Sequence, residues 1–184
     1  MPSPFAVPEE ILTRRLRLRR HNADDVEAFQ GFMANPESTR YMMFADEQKT
    51  SEGAEALLLG VAGLYDTEDP VFAMTITLLG LDRYVGSCGM SPTDEVGVME
   101  VYFSLVPAAQ GHGYATETVE ALINFASANE IRRMIARVFE GNRPSVGVLE
   151  RAGFQTSEVV DGEFGATSIY ALDLTQRASR PSLR

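Results

Sequence analysis

The stretch Gln110-Gly111-His112-Gly113-Tyr114-Ala115 has the residue types of an anion-binding loop. It lies between a predicted strand and the most regular amphipathic pattern of the chain, whose apolar positions run from Ala115 to Ala126 at helical spacing. Glycines let the backbone turn sharply and approach a ligand closely. The first amides of a helix have no partner inside it, and the helix dipole adds partial positive charge there. These features predict a cradle for a pyrophosphate that needs no lysine, although a glycine turn that merely begins a helix has the same pattern.

These glycines do not form a dinucleotide-binding fingerprint. Gly-His-Gly lacks the third glycine at the required spacing. The surrounding pattern is also not a repeated βαβ unit with an acidic residue at the end of its second strand. A Rossmann interpretation is therefore rejected.

The strand predicted before this loop, Val98–Leu105, has an apolar and a polar face. Residues 99, 101, 103 and 105 are apolar, whereas Glu100, Tyr102 and Ser104 alternate with them. Glu100 is a candidate general base, because a carboxylate beside a cleft can help an amine lose its proton, directly or through a water. A solvated residue on a half-exposed sheet face is the alternative.

Hydrophobic periodicity predicts the elements that position these residues. A first strand is predicted through Leu12, Leu16 and Leu18, with the arginines at 15, 17 and 19 on its other, solvated face. The further elements are helices from Asn22 to about Ala34 and from about Ser51, as a cap, to Gly63; strands Val71–Leu79, Tyr84–Ser91 and Val98–Leu105; the helix from Ala115; strand Ile131–Phe139; helix Arg143–Ala152, between Asn142 and Gly153; and strands Phe154–Val160 and Ser168–Leu174. The order βααβββαβαββ predicts an α/β fold with a mixed, mostly antiparallel sheet and helices on both faces.

Length and composition indicate one domain with an acidic surface. Residues 11–174 are predicted to form the domain, with an extended lead-in at 1–10 and a polar tail at 175–184. The net charge of −10 argues against nucleic-acid binding, which needs clustered Lys and Arg. It would attract a cationic amine, although solubility alone explains it equally well. A single cysteine, no apolar run long enough to span a membrane and no recognisable signal peptide predict a cytoplasmic protein that binds no membrane.

Three further motifs accompany the glycine loop, and in combination they resemble one family. Gln110, Gly113 and Ala115 occupy the defined positions of motif A of the GNAT acetyltransferases, Gln/Arg-x-x-Gly-x-Gly/Ala, which holds the pyrophosphate of acetyl-CoA. Asn142-Arg-Pro-Ser145, followed by Gly153-Phe154, resembles the Asn-x-x-Ser … Gly-Phe signature of the branch that includes ribosomal-protein N-acetyltransferases. The segments at residues 113–117 and 13–19 are also similar to sequences of this branch. The resemblance covers about residues 11–174.

The resemblance implies a single-domain GNAT fold whose central strand pair splays apart. The strand before motif A would bulge and pair with the pantetheine arm of acetyl-CoA. The cofactor-binding residues would then be Phe103, Ser104, Leu105, Gln110, Gly111, His112, Gly113, Tyr114, Ala115 and Asn142. In such enzymes a neutral amine attacks the thioester directly, without a metal and without a covalent enzyme intermediate.

Ser145 marks a departure from many relatives. They carry a tyrosine seven residues after the asparagine, where it can protonate the leaving thiolate, but Leu149 stands there in this chain. The branch that this chain resembles often has a serine three residues after the asparagine, which makes Ser145 the candidate acid. An ordinary first-turn residue that helps to cap the helix is the alternative.

The acceptor is expected to be an α-amine such as a peptide or protein N-terminus. Two alternatives remain: a small-molecule amine such as an antibiotic, polyamine or amino acid, and a CoA-binding sensor without catalysis. Residues that select the acceptor are expected in Asn35–Thr50 and in Asp161–Thr167. Within the first segment, Met42, Met43 and Phe44 are candidates for the mouth of the acceptor site, and an ordinary core turn is the alternative. Nothing in the sequence indicates the oligomeric state.

Overall fold

Residues 6–162 and 165–175 are described by the computed structural model, and this part of the chain forms eight strands and five α-helices. The strands are β1 Glu10–Leu12, β2 Leu16–Arg20, β3 Phe72–Leu78, β4 Tyr84–Pro92, β5 Val98–Leu105, β6 Arg133–Phe139, β7 Gln155–Gly162 and β8 Gly165–Asp173. The helices are α1 Val26–Ala34, α2 Pro36–Thr39, α3 Ser51–Ala62, α4 Tyr114–Ala128 and α5 Arg143–Ala152. No helix within these ranges is both long and apolar enough to cross a membrane.

The strands form one mixed sheet in the order β1-β2-β3-β4-β5-β6-β8-β7. Every neighbouring pair is antiparallel except β5 and β6, which are parallel. Their ladder joins only Val98–Glu100 to Arg133–Ile135, although both strands continue further. The two strands therefore diverge beyond these pairs, and the splayed central pair is confirmed.

Alternation along the strands places a core on one face of the sheet and a polar row on the other. The main core packs the apolar residues of the central strands against α4 and α5, where Leu122, Ile123 and Leu149 are fully buried. A second cluster on the opposite face contains Phe29 and Phe32 of α1 with residues of α3. Helices on both faces are thereby confirmed.

The single first strand predicted through Leu12 and Leu18 is wrong. β1 and β2 form a hairpin, and the Thr13 hydroxyl holds its turn by accepting the Leu16 amide at 2.9 Å. Leu12 is 58% exposed at the sheet edge, so the apolar pattern that joins it to Leu16 and Leu18 runs across the turn of the hairpin.

The bulge expected in the strand before the glycine loop is absent from its pairing with β4. The register between β4 and β5 runs without a shift from Gly86/Leu105 to Pro92/Met99.

Two smaller corrections concern polar residues. The α3 cap is Thr50, whose hydroxyl accepts the Gly53 amide at 3.0 Å, whereas Ser51 is the first residue of the helix. The arginine face of β2 is also not solvated throughout, since Arg19 is only 7% exposed. Its guanidinium pairs in bidentate geometry with Asp25 at 2.7 and 2.8 Å, which compensates for burial of both charges.

The predicted lead-in and tail fall largely outside the described residues. Residues 1–5 and 176–184 lie there, as do residues 163 and 164 of the predicted acceptor segment. Within the described part, Val7 is buried in the main core and β1 begins at Glu10. The chain therefore joins the fold before residue 11.

Candidate active site

The loop from Gln110 to Gly113 turns the chain from β5 into α4. Gly111 and Gly113 both have φ of 78°, a backbone conformation that glycine adopts without a steric penalty. Among the described residues, the backbone amides from Gly111 to Thr116 make no backbone hydrogen bond, and that of Glu117 is the next to make one, donating to Gly113 O. A run of open amides at a helix start suits a ligand rich in acceptor oxygens.

The β1–β2 turn holds this loop in place. The Glu117 carboxylate accepts the Thr13 hydroxyl at 2.7 Å, the Arg15 amide at 2.8 Å and Arg15 Nε at 2.7 Å. Arg15 then donates through Nη1 to the His112 carbonyl at 2.9 Å and lies 4.8 Å above the Tyr114 ring. Burial alone would raise the pKa of Glu117, but the hydrogen bonds from Thr13 and Arg15 outweigh it and lower that pKa.

A cavity of about 620 Å³ opens beside the loop. Eight of the predicted cofactor residues line it: Phe103, Ser104, Leu105, Gln110, Gly111, Gly113, Ala115 and Asn142. His112 and Tyr114 do not line it; their rings are tilted by 33° to each other, with centroids 5.5 Å apart. We call this cavity the loop cleft.

The loop cleft has further features of a site for an extended, phosphate-bearing group. A Cβ added at Gly111 would meet nothing within 4 Å, so the backbone there is open to a ligand. The buried Ser38 hydroxyl lines the cleft and has no hydrogen-bond partner among the described residues. Arg40 and Arg151 add two cations to the lining. Ser38 and Arg40 lie in the segment expected to select the acceptor, but they line the loop cleft, and Arg151 of α5 was not predicted. No local pattern connects these three residues to the loop.

A second cavity, of about 690 Å³, lies on the other side of the β5–β6 gap. Its walls are mostly apolar and come from α1, α3 and the segment after α2, and its floor is formed by residues of β3, β4, β5 and β6. We call it the apolar cavity. The two cavities share five residues: Tyr41, Met42, Phe103, Asn142 and Ser145. A group bound in one cavity can therefore meet a group bound in the other where β5 and β6 diverge.

Glu100 lines the apolar cavity just where the two strands part. Its carboxylate pairs with the guanidinium of Arg137, and the two side chains are 28% and 48% exposed. Burial raises the pKa of Glu100, and the Arg137 charge opposes that rise. A carboxylate with a raised pKa and a cavity in front of it is a suitable proton acceptor. The sequence did not reveal Arg137 as its partner.

Tyr102 covers the floor between Glu100 and the far wall. Its cross-strand neighbour is Gly89, and a Cβ at Gly89 would lie 2.5 Å from both Cε1 and the hydroxyl oxygen of the ring. The absence of a side chain at Gly89 thus lets the ring lie across β4. Burial raises the pKa of the Tyr102 hydroxyl, so the phenol stays protonated at neutral pH.

Asn142 and Ser145 begin α5 at the junction of the two cavities. The Asn142 side chain accepts the Ser145 amide at 3.3 Å, which confirms that Asn142 caps the helix. Gly153, with φ of 96°, ends the helix as predicted. Leu149 is fully buried and lines the apolar cavity, where it offers no proton.

The expected acceptor segments contribute only part of the apolar cavity. Met42, Met43 and Phe44 line it, as does Thr167 from the second segment. Most of the lining comes from elsewhere, including His21 at the end of β2. Alternating polar positions on β3 to β5 were the one available signal for the floor, and its position beneath α1 and α3 is a tertiary feature.

Two cavities that meet beside a splayed mixed sheet suit an enzyme that brings two ligands together. The chain belongs to the GNAT acetyltransferase family, since the family model described as "Acetyltransferase (GNAT) domain" matches residues 15–155. It is accordingly an acyltransferase.

Known relatives agree with this assignment. The uncharacterized N-acetyltransferase p20 of Bacillus licheniformis is 29% identical over 150 residues, which cover 80% of this chain and 83% of that protein. RimJ of Mycobacterium smegmatis, solved with a CoA-disulfide, superposes with a TM-score of 0.76 at 15% identity, over 98% of this chain and 93% of that one. A RimL structure, a ribosomal L7/L12 α-N-protein acetyltransferase in complex with CoA, superposes with a TM-score of 0.75 at 16% identity. The superposition covers 90% of this chain and 98% of that one. At such identities the structural likeness concerns the fold.

Proposed function

We propose that this protein transfers the acetyl group of acetyl-CoA to a primary amine, with the N-terminal α-amine of a peptide or protein as the preferred acceptor. The observation that carries the proposal is the meeting of the loop cleft and the apolar cavity at Phe103, Asn142 and Ser145. One cavity offers open amides and cations, and the other offers Glu100.

The loop cleft would bind acetyl-CoA along its length. The amides from Gly111 to Thr116 suit the pyrophosphate, because they and the α4 dipole favour anions. Arg40 and Arg151 suit further phosphate charge, and the unpaired Ser38 hydroxyl offers a hydrogen bond to the arm. The thioester would then lie in the β5–β6 gap, next to the apolar cavity.

The chemical step follows from the residues around that gap. Glu100 takes a proton from the ammonium group of the acceptor, directly or through a water, and the neutral nitrogen attacks the thioester carbonyl carbon. A C–N bond forms and the C–S bond breaks, and the nitrogen passes its second proton to the departing sulfur through Ser145, or to a water. Because Ser145 lines both cavities, we infer that it donates a hydrogen bond or proton to the departing sulfur. Thiols have a pKa of about 8.5, so the thiolate can also leave unassisted.

Proton energetics favour an α-amine over a lysine side chain. An α-amino group has a pKa of about 7.8 and lysine one of about 10.4, and each unit corresponds to about 1.36 kcal/mol. Deprotonation at pH 7 therefore costs roughly 1.1 kcal/mol for the first and roughly 4.6 kcal/mol for the second. One carboxylate and no tyrosine at position 149 suit the easier acceptor better.

The experiment uses two forms of one peptide, blocked either at the N-terminus or at its single lysine. We expect acetylation of the form with the free N-terminus, located by mass spectrometry, together with release of free thiol. Acetylation of the lysine alone would contradict the preference. Binding of CoA without thiol release from any amine would instead indicate a sensor.

A small-molecule amine is the second candidate acceptor. The apolar cavity, with about 690 Å³ and mostly apolar walls, is large enough to enclose one completely. Acetylation of neither peptide, but of a small amine in the same thiol-release assay, would favour this candidate.

A further inference from the structure

His21 lies at the far end of the floor of the apolar cavity, directly after β2. It follows Arg20, which pairs with Met74, so it falls opposite Ala73. Tyr65 bridges the two strands there, because its hydroxyl accepts the His21 amide at 2.9 Å and donates to Ala73 O at 2.7 Å. Ala73 pairs with Gly89, and Gly89 pairs with Tyr102. His21 thus lies three strands from the reaction site, on the order of 14 Å away between Cα atoms.

A chain of buried hydrogen bonds fixes which ring nitrogen of His21 carries the proton. Asp25, paired with Arg19, is an acceptor only. The Thr75 hydroxyl therefore donates its one hydrogen to Asp25 Oδ2, at 3.0 Å. The Thr75 oxygen lies 2.7 Å from His21 Nδ1 and is left to accept, so Nδ1 carries the proton and Nε2 has a free lone pair.

The ring is neutral when an acceptor would bind. Burial lowers the pKa of His21 to about 4; the negative charge of Asp25 opposes the shift and the positive charge of Arg19 adds to it. His21 is only 8% exposed, yet it lines the apolar cavity. The hydrogen bonds of His21 within residues 6–162 and 165–175 go through its amide and Nδ1. Nε2 is therefore available as an uncharged acceptor on a residue that lines the cavity.

The surroundings of this nitrogen restrict what can satisfy it. Phe29, Phe32, Leu57 and Leu58 form the nearby walls of the cavity, and the His21 and Phe29 ring centroids are 6.2 Å apart. A charged group would lose its hydration here without gaining a counter-charge on these walls. An apolar body that ends in a neutral hydroxyl would fill the walls and donate to Nε2.

We propose that His21 is a specificity-determining residue that accepts a hydrogen bond from a phenol-like hydroxyl at the far end of the acceptor amine. The preferred acceptor then has its amine at the β5–β6 gap, an aromatic body across Tyr102 and a hydroxyl at His21. This inference rests on the proposed acetyl transfer and narrows its substrate class.

Matched acceptors that differ by one hydroxyl test the proposal. Tyramine is compared with 2-phenylethylamine, and a peptide with N-terminal Tyr with the same peptide with N-terminal Phe. In the wild type we expect kcat/KM to favour the hydroxylated member of a pair by about 10-fold, the effect of one net hydrogen bond. His21→Phe should bring the ratio to about 1, chiefly by slowing the hydroxylated member.

A second pair of variants separates the role of His21 from a general loss of packing. Thr75→Val removes the group that fixes the ring tautomer and should also reduce the ratio. Thr77→Val is its control: Thr77 is equally buried two residues along the same strand, and like Thr75 it does not line the cavity, but it donates to Arg17 O instead of Asp25. It should leave the ratio unchanged.

Calorimetric titration of each amine into the CoA-bound protein distinguishes the two proposals. Turnover of both members with the same ratio in wild type and His21→Phe would overturn the role of His21 and leave acetyl transfer intact. Absence of turnover, with tighter binding of tyramine that His21→Phe abolishes, would overturn the transfer and support the site. Equal binding of both amines without turnover would overturn both.

Discussion

At the scale of single residues, Glu100 is placed by the divergence of two strands. It belongs to the last β5–β6 pair, opposite Ile135, and Arg137 lies two residues further along β6. Burial and the Arg137 charge act on the pKa of Glu100 in opposite directions. The guanidinium therefore tunes the proposed base, although it touches neither ligand in the proposed mechanism.

Arg137→Gln should move the acidic limb of the pH–rate profile to higher pH. Glu100 accepts a proton only as the carboxylate, and removal of the neighbouring cation raises its pKa further. The measurement is kcat/KM against pH for wild type and variant. Arg83→Gln, which removes an equal charge from an exposed position, should leave the limb in place. An unchanged profile for both variants would remove Glu100 from the role of base.

Ser145→Ala should lower kcat by roughly 10- to 1000-fold, the range for one positioned acid or hydrogen-bond donor. The affinity for acetyl-CoA should fall far less, because the residue acts on the sulfur as it departs. The backbone amide of Ser145 still bonds to Asn142 in the variant, so α5 keeps its cap. Turnover at the wild-type rate would leave Ser145 as a first-turn residue only.

At the scale of elements, the glycine loop depends on a turn about a hundred residues earlier. Periodicity predicted α4 and the motif predicted the loop, since both are local patterns. The clamp formed by Thr13, Arg15 and Glu117 could not be predicted in this way, because nothing in local spacing brings the β1–β2 turn to α4. Thr13 and Arg15 lie in the segment 13–19, and Glu117 lies in the segment 113–117. Both segments resemble the family, but the resemblance assigned these residues no role.

Glu117→Ala should weaken CoA binding several-fold. Without the carboxylate, Arg15 loses its partner and the His112 carbonyl loses a fixed donor, so the amides of the loop are less well ordered before binding. Glu120→Ala is the matched control, since Glu120 is an exposed carboxylate one turn further along α4. Calorimetry should show a loss of affinity for the first variant and none for the second. Equal affinities would mean that the loop holds its shape without the clamp.

At the scale of the whole molecule, the fold was predictable and the acceptor site was not. Seven of the strands and the four longer helices follow from periodicity and caps, and the first hairpin was missed because Leu12 lies at an exposed edge. The apolar cavity combines side chains from β2 to β5 with α1 and α3, whose packing no local pattern encodes. His21 illustrates the limit, since its meaning depends on Asp25 and Thr75.

The buried neutral state of His21 should also make folding sensitive to acid. Its pKa is about 4 when folded and about 6.5 when unfolded, so between these values the unfolded chain binds more protons and stability falls as the pH is lowered. The full shift corresponds to a loss of about 3 kcal/mol below pH 4. Arg19, Asp25 and Tyr65 face the ring. Burial alone would raise the pKa of Asp25, but hydrogen bonds, chiefly the one from Arg19, lower it below its usual value, so its carboxylate keeps its charge as the pH is lowered.

Urea unfolding at pH 7.5, 6 and 5 would measure the contribution of His21 protonation to the free energy of unfolding. The wild type should lose stability over this range more steeply than His21→Phe, whose ring cannot take up a proton. Parallel slopes would mean that the buried histidine does not control the acid limit of the fold.

The short ladder between β5 and β6 has a mechanical consequence. Three residue pairs are the backbone seam between a five-stranded piece, β1 to β5, and a three-stranded piece, β6 to β8. An arm of acetyl-CoA that bonded to both strands beyond the seam would act as a substitute strand and stiffen the sheet across its weakest line. Binding of acetyl-CoA would then make the middle of the sheet more rigid, and release of CoA would make it more flexible. Amide hydrogen exchange beside the gap would be slower in the bound state than in the free state.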